Sequence, residues 1–254
     1  MAKKDILIGD LVSYFDKKYD IGCQLQYDNS GFQIGDKNES ITSIVLTLDV
    51  TNAAIELAIQ NKANLIISHH PLFFNAVKNM DYIQPQTTYI RKLIENKIAV
   101  YSMHTNYDIK GELREYLADI IGGSINKKYS NDELVVCDIK NEIFENIANK
   151  LQKNNIMILH GRRTKSVYNR IAYINGSGGR NEDIANELMY FDVDLFITAE
   201  MKHSFAIKLI DMDIDFIELN HAQMEKSFIK LLKKDLIKYI NVNIYENNEE
   251  VYNF

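Results

Sequence analysis

The stretch that most constrains this chain is a short apolar run that ends in two histidines and a proline, Asn64-Leu-Ile-Ile-Ser-His-His-Pro71. An apolar run of this length with β-branched residues reads as a buried strand. Pro71 cannot donate a ladder hydrogen bond, so the strand stops before it. Open α/β sheets bind ligands at the carboxyl ends of their strands. His69 and His70 therefore fall where such a fold places its chemistry. A lone His-His pair more often means one exposed and one hydrogen-bonded imidazole. What changes that weighting lies further along the chain.

The flanking sequence alternates strand and helix patterns. Ile6 to Tyr19 has amphipathic helical spacing. Residues 27–35, Tyr-Asp-Asn-Ser-Gly-Phe-Gln-Ile-Gly, carry turn chemistry and read as a loop, either a surface turn or one folded over the site. Ser43 to Leu48 is a strand, and Thr51 caps a helix from Asn52 to Asn61. The histidine strand follows, so the unit is strand–helix–strand, the mark of a parallel sheet. A helix from Thr88 to Asn96 and a strand from Ile98 to Met103 lead to His104-x-x-x-Asp108. A helix from Gly111 to Ala118 ends at Gly122 and Gly123.

The pattern restarts near Leu134, with a strand at 135–136, a helix at 143–151 and a strand at 156–159. A strand at 170–174 leads into Asn175-Gly-Ser-Gly-Gly-Arg180, then a helix at 182–189, a strand at 193–198, a helix at 204–210 and a strand at 216–219. That strand ends in His221-x-x-x-Glu225. A helix at 227–235 and a closing edge strand at 237–245 complete the chain.

Two parts of the chain are alike. Each has strand, helix, strand, helix, strand, and each ends in a histidine with a carboxylate four residues on: His104/Asp108 and His221/Glu225. The expectation is an α/β fold of two related α/β/α lobes with mixed, largely parallel sheets, arising by internal duplication. Histidine and carboxylate together suit Zn, Fe or Mn. Two ions roughly 3.5–4 Å apart can clamp an oxyanion and hold a bridging hydroxide. Clustered carboxylates without a cation would raise one another's pKa, a cost that metal removes.

The bulk properties set limits on partners. The chain has 254 residues, 46% of them hydrophobic, with a formal net charge of −6. That balance argues against a dedicated nucleic-acid binder. Two cysteines, Cys23 and Cys137, make neither a disulfide framework nor a Cys-x-x-Cys site, which fits a reducing cytoplasm. No apolar run reaches the length of a membrane span. The residues after Met1-Ala-Lys-Lys-Asp lack the apolar core of a signal peptide.

Asp28-Asn-Ser-Gly31, Ser68-His-His-Pro71, His104-x-x-x-Asp108, Gly176-Ser-Gly-Gly179, Thr198-x-Glu200 and His221-x-x-x-Glu225 occur in one order along nearly the whole chain. In this the chain resembles the dinuclear metal-centre proteins called GTP cyclohydrolase 1 type 2 homologues. The resemblance implies His70 and Asp108 on one divalent ion, His69 and His221 on the other, and Glu225 bridging both. It implies two lobes, residues 1–125 with 216–254 as the metal-binding lobe and residues 126–215 as the second, and a homo-oligomer, a ring-shaped hexamer. Tyr27 stands where the family usually has Trp, and Ala199 where it usually has Gly. A histidine that often follows falls here at Ser204, beside His203. His104 takes a substrate-facing or supporting place, or is a strand-end histidine bonded to backbone.

The chain has no Gly-x-Ser-x-Gly elbow and no P-loop. The expected chemistry is hydrolysis by a metal-bound hydroxide, with His104 and Glu225 as catalytic groups. The substrate would be a nucleotide-like or phosphorylated small molecule, with purine ring opening one form of the reaction. The alternative is a non-enzymatic metal-binding scaffold or metal carrier. Gly176–Gly179 with Arg162, Arg163, Lys165 and Arg180 offers either a phosphate-binding turn or a plain strand-to-helix turn with solvated charges.

Overall fold

A computed structural model of the protein describes residues 6–249. The amino-terminal Met1–Asp5, read above for a leader, and the last five residues lie outside the described residues. The chain divides into two compact units, Met1–Gly111 with Phe228–Phe254, and Glu112–Ser227.

In the first unit, α1 (Ile8–Lys18) precedes an edge strand β1 (Gly31–Ile34). Then come β2 (Ser43–Thr47), α2 (Asn52–Gln60), β3 (Leu65–Ser68), α3 (Pro85–Glu95), β4 (Ala99–Ser102) and the short α4 (Thr105–Lys110). The strand order is β1-β4-β3-β2-β11, with β11 (Asn243–Glu246) returning from the end of the chain. β2, β3, β4 and β11 run parallel, and β1 is antiparallel to β4. Every residue of β2, β3 and β4 is buried, as strands covered on both faces require. Helix α1 buries Ile8, Leu11, Val12 and Phe15, one face at helical spacing. The Thr51 hydroxyl accepts from the Ala54 N–H at 3.3 Å and so caps α2, as the sequence predicts. Pro85 starts α3, where a missing N–H costs nothing.

The second unit holds α5 (Leu113–Ile121), β5 (Ser124–Ile125), β6 (Val135–Glu142), α6 (Phe144–Lys153), β7 (Ile158–Arg162), β8 (Tyr168–Tyr173), α7 (Ala185–Tyr190), β9 (Leu195–Thr198), α8 (His203–Asp211), β10 (Asp215–Leu219) and α9 (His221–Glu225). Its sheet order is β5-β6-β8-β9-β10-β7. β8, β9 and β10 are parallel, with β7 antiparallel on β10. Period-two alternation sorts the strands onto two cores. Leu195, Ile197 and Ile217 join one cluster, Phe196 and Phe216 the other.

The two sheets share a plan. Three parallel strands run in chain order, and an antiparallel edge strand lies beside the third: β2-β3-β4 with β1, and β8-β9-β10 with β7. Both sheets are mixed α/β, the class expected from the sequence.

The structure differs from the sequence reading in four places. Residues 31–34, read as loop, form β1; Gly31 opens it and Gly35 follows it at φ of +117° and +118°, and a side chain at Gly35 would collide with Ala99. The stretch read as a helix from 182 opens with a 3₁₀ turn, Glu182–Ile184, before α7. The last helix, α10 (Ser227–Tyr239), runs past the expected start of the closing strand, because Leu232, Leu236 and Ile240 fall four apart and are all buried. Residues 112–125 and 216–227, assigned above to the metal-binding lobe, belong to the second unit, because β5 pairs with β6 and β10 pairs with β9 and β7.

Candidate metal centre

In the first unit the donors sit just past the ends of β3 and β4. Parallel register pairs Thr47 with Ser68 and Ser68 with Ser102. Two residues beyond the first pair, Asp49 stands beside His70, and the His70 Nδ1 meets Asp49 Oδ1 at 2.8 Å. One residue beyond the second pair, His69 Nδ1 meets the Met103 carbonyl at 2.8 Å. A carbonyl oxygen only accepts, so His69 Nδ1 carries a proton, and Nε2 is the ring nitrogen left facing Asp108. His69 is completely buried, its ring 5.0 Å from that of Phe228.

His104 is the N-cap of α4, and its Nδ1 meets Asp28 Oδ1 at 2.8 Å. The Asp28 carboxylate also accepts from Ser30 Oγ at 2.7 Å, from the Thr105 N–H at 3.0 Å and from the Thr105 hydroxyl. Burial alone would push its pKa up, but the bonds from His104, Thr105 and Ser30 hold it well below the usual carboxylate range. Residues 27–30 are therefore folded in at the site, the second of the two readings of that loop. Asp108 lies one turn after His104, its N–H bonded to the His104 carbonyl at 3.0 Å. Its Oδ1 is 3.8 Å from His69 Nε2. Donor atoms of His69, His70 and His104 all lie within 4.8 Å of one another.

The second unit repeats the device. β9 and β10 pair Thr198 with Glu218, which carries Glu200 to the neighbourhood of His221. His221 Nδ1 meets Glu200 Oε1 at 2.6 Å, and the other Glu200 oxygen pairs with Arg180. His221 Nε2 and Glu225 Oε2, one turn apart on α9, are 2.9 Å from each other. Asn220 caps that turn by accepting from the Gln223 N–H. Glu225 is buried.

Gly176, at φ +62°, belongs to this half of the arrangement. A side chain there would collide with Glu225 Oε1 and crowd His221 Nε2. Gly178 and Gly179 are equally filled, by Ile174 and Thr198 and by Ala199 and Met201. The glycine-rich turn is thus closely packed, Gly176 against Glu225 and His221 and the other two against the end of β9 and its neighbours. Arg162, Arg163 and Lys165 do not join it: Arg162 pairs with Asp213 and Asp215, Arg163 with Glu145, and Lys165 with Asp194. Of the basic residues singled out in the sequence, Arg180 alone reaches a site residue.

The structure brings His69, His70, His104 and Asp108 together in the first unit and His221 with Glu225 in the second. Sequence reasoning missed Asp49, Met103 and Glu200 as orienting groups, and Asp28 as the partner of His104. The signal for Asp49 was present: Asp49 and His70 each fall two residues past the ends of neighbouring parallel strands, Thr47 and Ser68. Four histidines hold Nδ1 on an oxygen acceptor and turn Nε2 the other way. Metal-binding histidines are oriented in this manner, by a carboxylate or backbone carbonyl behind the ligating ring. Mixed imidazole and carboxylate donors fit Zn, Fe or Mn. The residues present therefore suit a divalent ion.

Two mixed α/β sheets with histidine and carboxylate side chains at matching strand ends define a class of α/β proteins with a candidate metal site. Residues 6–250 match the family Duf34/NIF3 (NGG1p interacting factor 3), and the chain belongs to that family. A relative from Campylobacter jejuni, called GTP cyclohydrolase 1 type 2 homolog, is 31% identical over 232 residues, covering 90% of this chain and 91% of its own. One of the same name from Clostridium perfringens is 28% identical over 86% of both chains. Among solved structures, Staphylococcus aureus hypothetical protein SA1388 superposes with a TM-score of 0.83 at 23% identity, covering 99% of this chain and 100% of the other. Reduced HcgD from Methanocaldococcus jannaschii does so with a TM-score of 0.84 at 20% identity, covering 96% and 99%. These likenesses bear on the fold.

Proposed function

We propose that the protein is a dinuclear metal-dependent hydrolase. His69, His70, Asp108, His221 and Glu225 are the ligands of its two divalent ions, Zn, Fe or Mn. The observation that carries this reading is the orientation of the histidines at the strand ends of both units, Nδ1 held and Nε2 presented. When bound, the ions supply a Lewis acid and lower the pKa of a water toward about 7.

The chain's own residues do the rest. Asp49, the Met103 carbonyl and Glu200 fix the ring planes of His70, His69 and His221. Glu225 offers two oxygens, enough to serve both ions. His104 accepts and returns a proton at Nε2, while the ionised Asp28 carboxylate holds Nδ1–H and stabilises the imidazolium. General acid–base help of this kind is worth about 10²–10⁴-fold in rate. The substrate is a nucleotide-like or phosphorylated small molecule, and purine ring opening is the reaction suggested by the name its relatives carry. The protein works in the cytoplasm as a homohexamer. Among the described residues no helix is long and apolar enough to cross a membrane.

The test is metal analysis of the purified protein, followed by turnover of GTP and a panel of phosphoesters with Mn, Zn or Fe. Glu225→Ala should lose both metal and turnover. His104→Gln should keep the metal and lose about 100-fold or more in rate. Stoichiometric metal with no turnover on any substrate would favour a carrier or scaffold instead. Light scattering reads the hexamer.

A further inference from the structure

Beside the histidines of the first unit, two aromatic rings stand in solvent. Tyr27 is 61% exposed and Phe74 48% exposed, with ring centroids 6.4 Å apart and planes tilted by 55°. The Phe74 ring also lies 6.1 Å from that of His104, edge to face at 81°. One exposed aromatic needs no explanation. Here two are held together, and their loops are tied by polar bonds. Asn29 Nδ2 donates to the Phe73 carbonyl at 2.7 Å, the Phe73 N–H to Gln33 Oε1 at 3.2 Å, and Gln33 Nε2 to the Asn29 carbonyl at 2.7 Å. Asn29 adjoins Asp28, which holds His104. The loop that orients His104 is therefore the loop that orients the aromatic corner.

We infer that Tyr27 and Phe74 form a stacking corner for a planar heteroaromatic ring, presenting that ring to His104. Burying a Phe or Tyr ring is favourable relative to leaving it exposed. These two rings forgo part of that gain, although their loops are fixed by side-chain bonds. A flat ligand placed on Phe74 with its edge toward Tyr27 recovers it. A π face is sequence-tolerant toward bases, so the corner selects for a flat ring and not for one base. A purely aliphatic or sugar phosphate would gain nothing from it. This deepens the proposed function by naming the substrate's ring class, but the stacking itself uses no metal.

The chain has no tryptophan, so Tyr27→Trp places a single indole at the corner. Guanosine is the flat probe and ribose 5-phosphate the non-aromatic control, each titrated with and without Mn. Guanosine should quench the indole and ribose 5-phosphate should not. In the otherwise native chain, followed by calorimetry, Phe74→Ala should weaken guanosine binding about 10-fold or more. Phe74→Leu, which keeps apolar bulk without a π face, should weaken it nearly as much. Metal content and the melting temperature should stay unchanged in both variants. Guanosine affinity equal in the native chain and both variants, or no guanosine binding at all, overturns the stacking corner. Loss of metal from the unmutated protein would instead refute the proposed dinuclear centre, and guanosine titration would still decide the corner.

Discussion

Asp215, the first residue of β10, is completely buried and anchors the strand that ends at His221. Its Oδ2 accepts from the Thr164 N–H at 2.7 Å, the Lys165 N–H at 3.0 Å and the Tyr168 hydroxyl at 3.0 Å. Its Oδ1 accepts from the Thr164 hydroxyl at 2.9 Å and lies 3.5 Å from Arg162. Asp215→Asn keeps the shape and removes the charge. The amide oxygen can stay on the three donors of Oδ2, while its NH₂ faces the Thr164 hydroxyl, which can rotate to accept, and the long Arg162 contact is lost. Hydrogen bonds to a charged group contribute about 1.5–3 kcal/mol and neutral ones about 0.5–1.5. Three bonds each weakened by about 1 kcal/mol, sharing one oxygen, give a loss of about 2–3 kcal/mol. For a unit of this size that lowers Tm by roughly 6–15 °C.

The pH dependence is a second constraint on the same variant. Burial pushes the Asp215 pKa up, but the Lys165 and Thr164 N–H groups and the hydroxyls outweigh it and hold it below the usual value. A carboxyl depressed in the folded state stabilises fully above the unfolded value, about 3.9. That contribution is lost as pH falls from there through the folded value. Urea melts of the native protein and Asp215→Asn should therefore differ by a constant amount from pH 7 down to about pH 4, and converge below. Exchange protection of the Thr164 and Lys165 amides should fall with stability. A difference under about 0.5 kcal/mol at pH 7, or one that persists unchanged at the lowest pH, would refute this account of the anchor.

Three further outcomes follow from the site. Asp49→Ala and Glu200→Ala each free a histidine ring, so metal affinity measured by chelator competition should fall about 10–100-fold with little change in fold. Gly176→Ala forces a Cβ against Glu225 at a left-handed φ; it should destabilise the second unit by about 1–3 kcal/mol in urea melts and weaken metal binding, whereas Ser177→Ala should do neither. Cys137 is buried and its thiol is pushed up to about 12, chiefly by burial, so in the native protein a thiol reagent at pH 8 should label Cys23 alone, and Cys137 only after unfolding.

Much of the fold was legible because it is written in local patterns. Short, β-branched, mostly apolar runs at 43–48 and 65–67 read as strands covered on both faces, and Thr51 marks its helix start without help from the rest of the chain. The edge strand β1 was not legible. Its residues carry turn chemistry, and they pair only because β4 offers an unpaired edge and Gly35 lets the backbone pass against Ala99. The closing segment was misjudged because Ile237 to Tyr245 is apolar enough for either state. Burial of Leu232, Leu236 and Ile240 on one face chose the helix, leaving Ile237 on the outside.

The same division runs through the site. By itself the sequence determined the donor types, their places at the ends of successive strands, and the repeat that sets a histidine and a carboxylate four residues apart in each half. Those are properties of nearby residues and of strand endings. Only the tertiary structure decided which nitrogen of each histidine faces the ligand side. That choice belongs to Asp28, Asp49, Met103 and Glu200, which come from other segments and arrive through sheet register or loop packing. Hydrogen-bond orientation of an imidazole is a nonlocal property, and residue spacing along one strand carries no information about it.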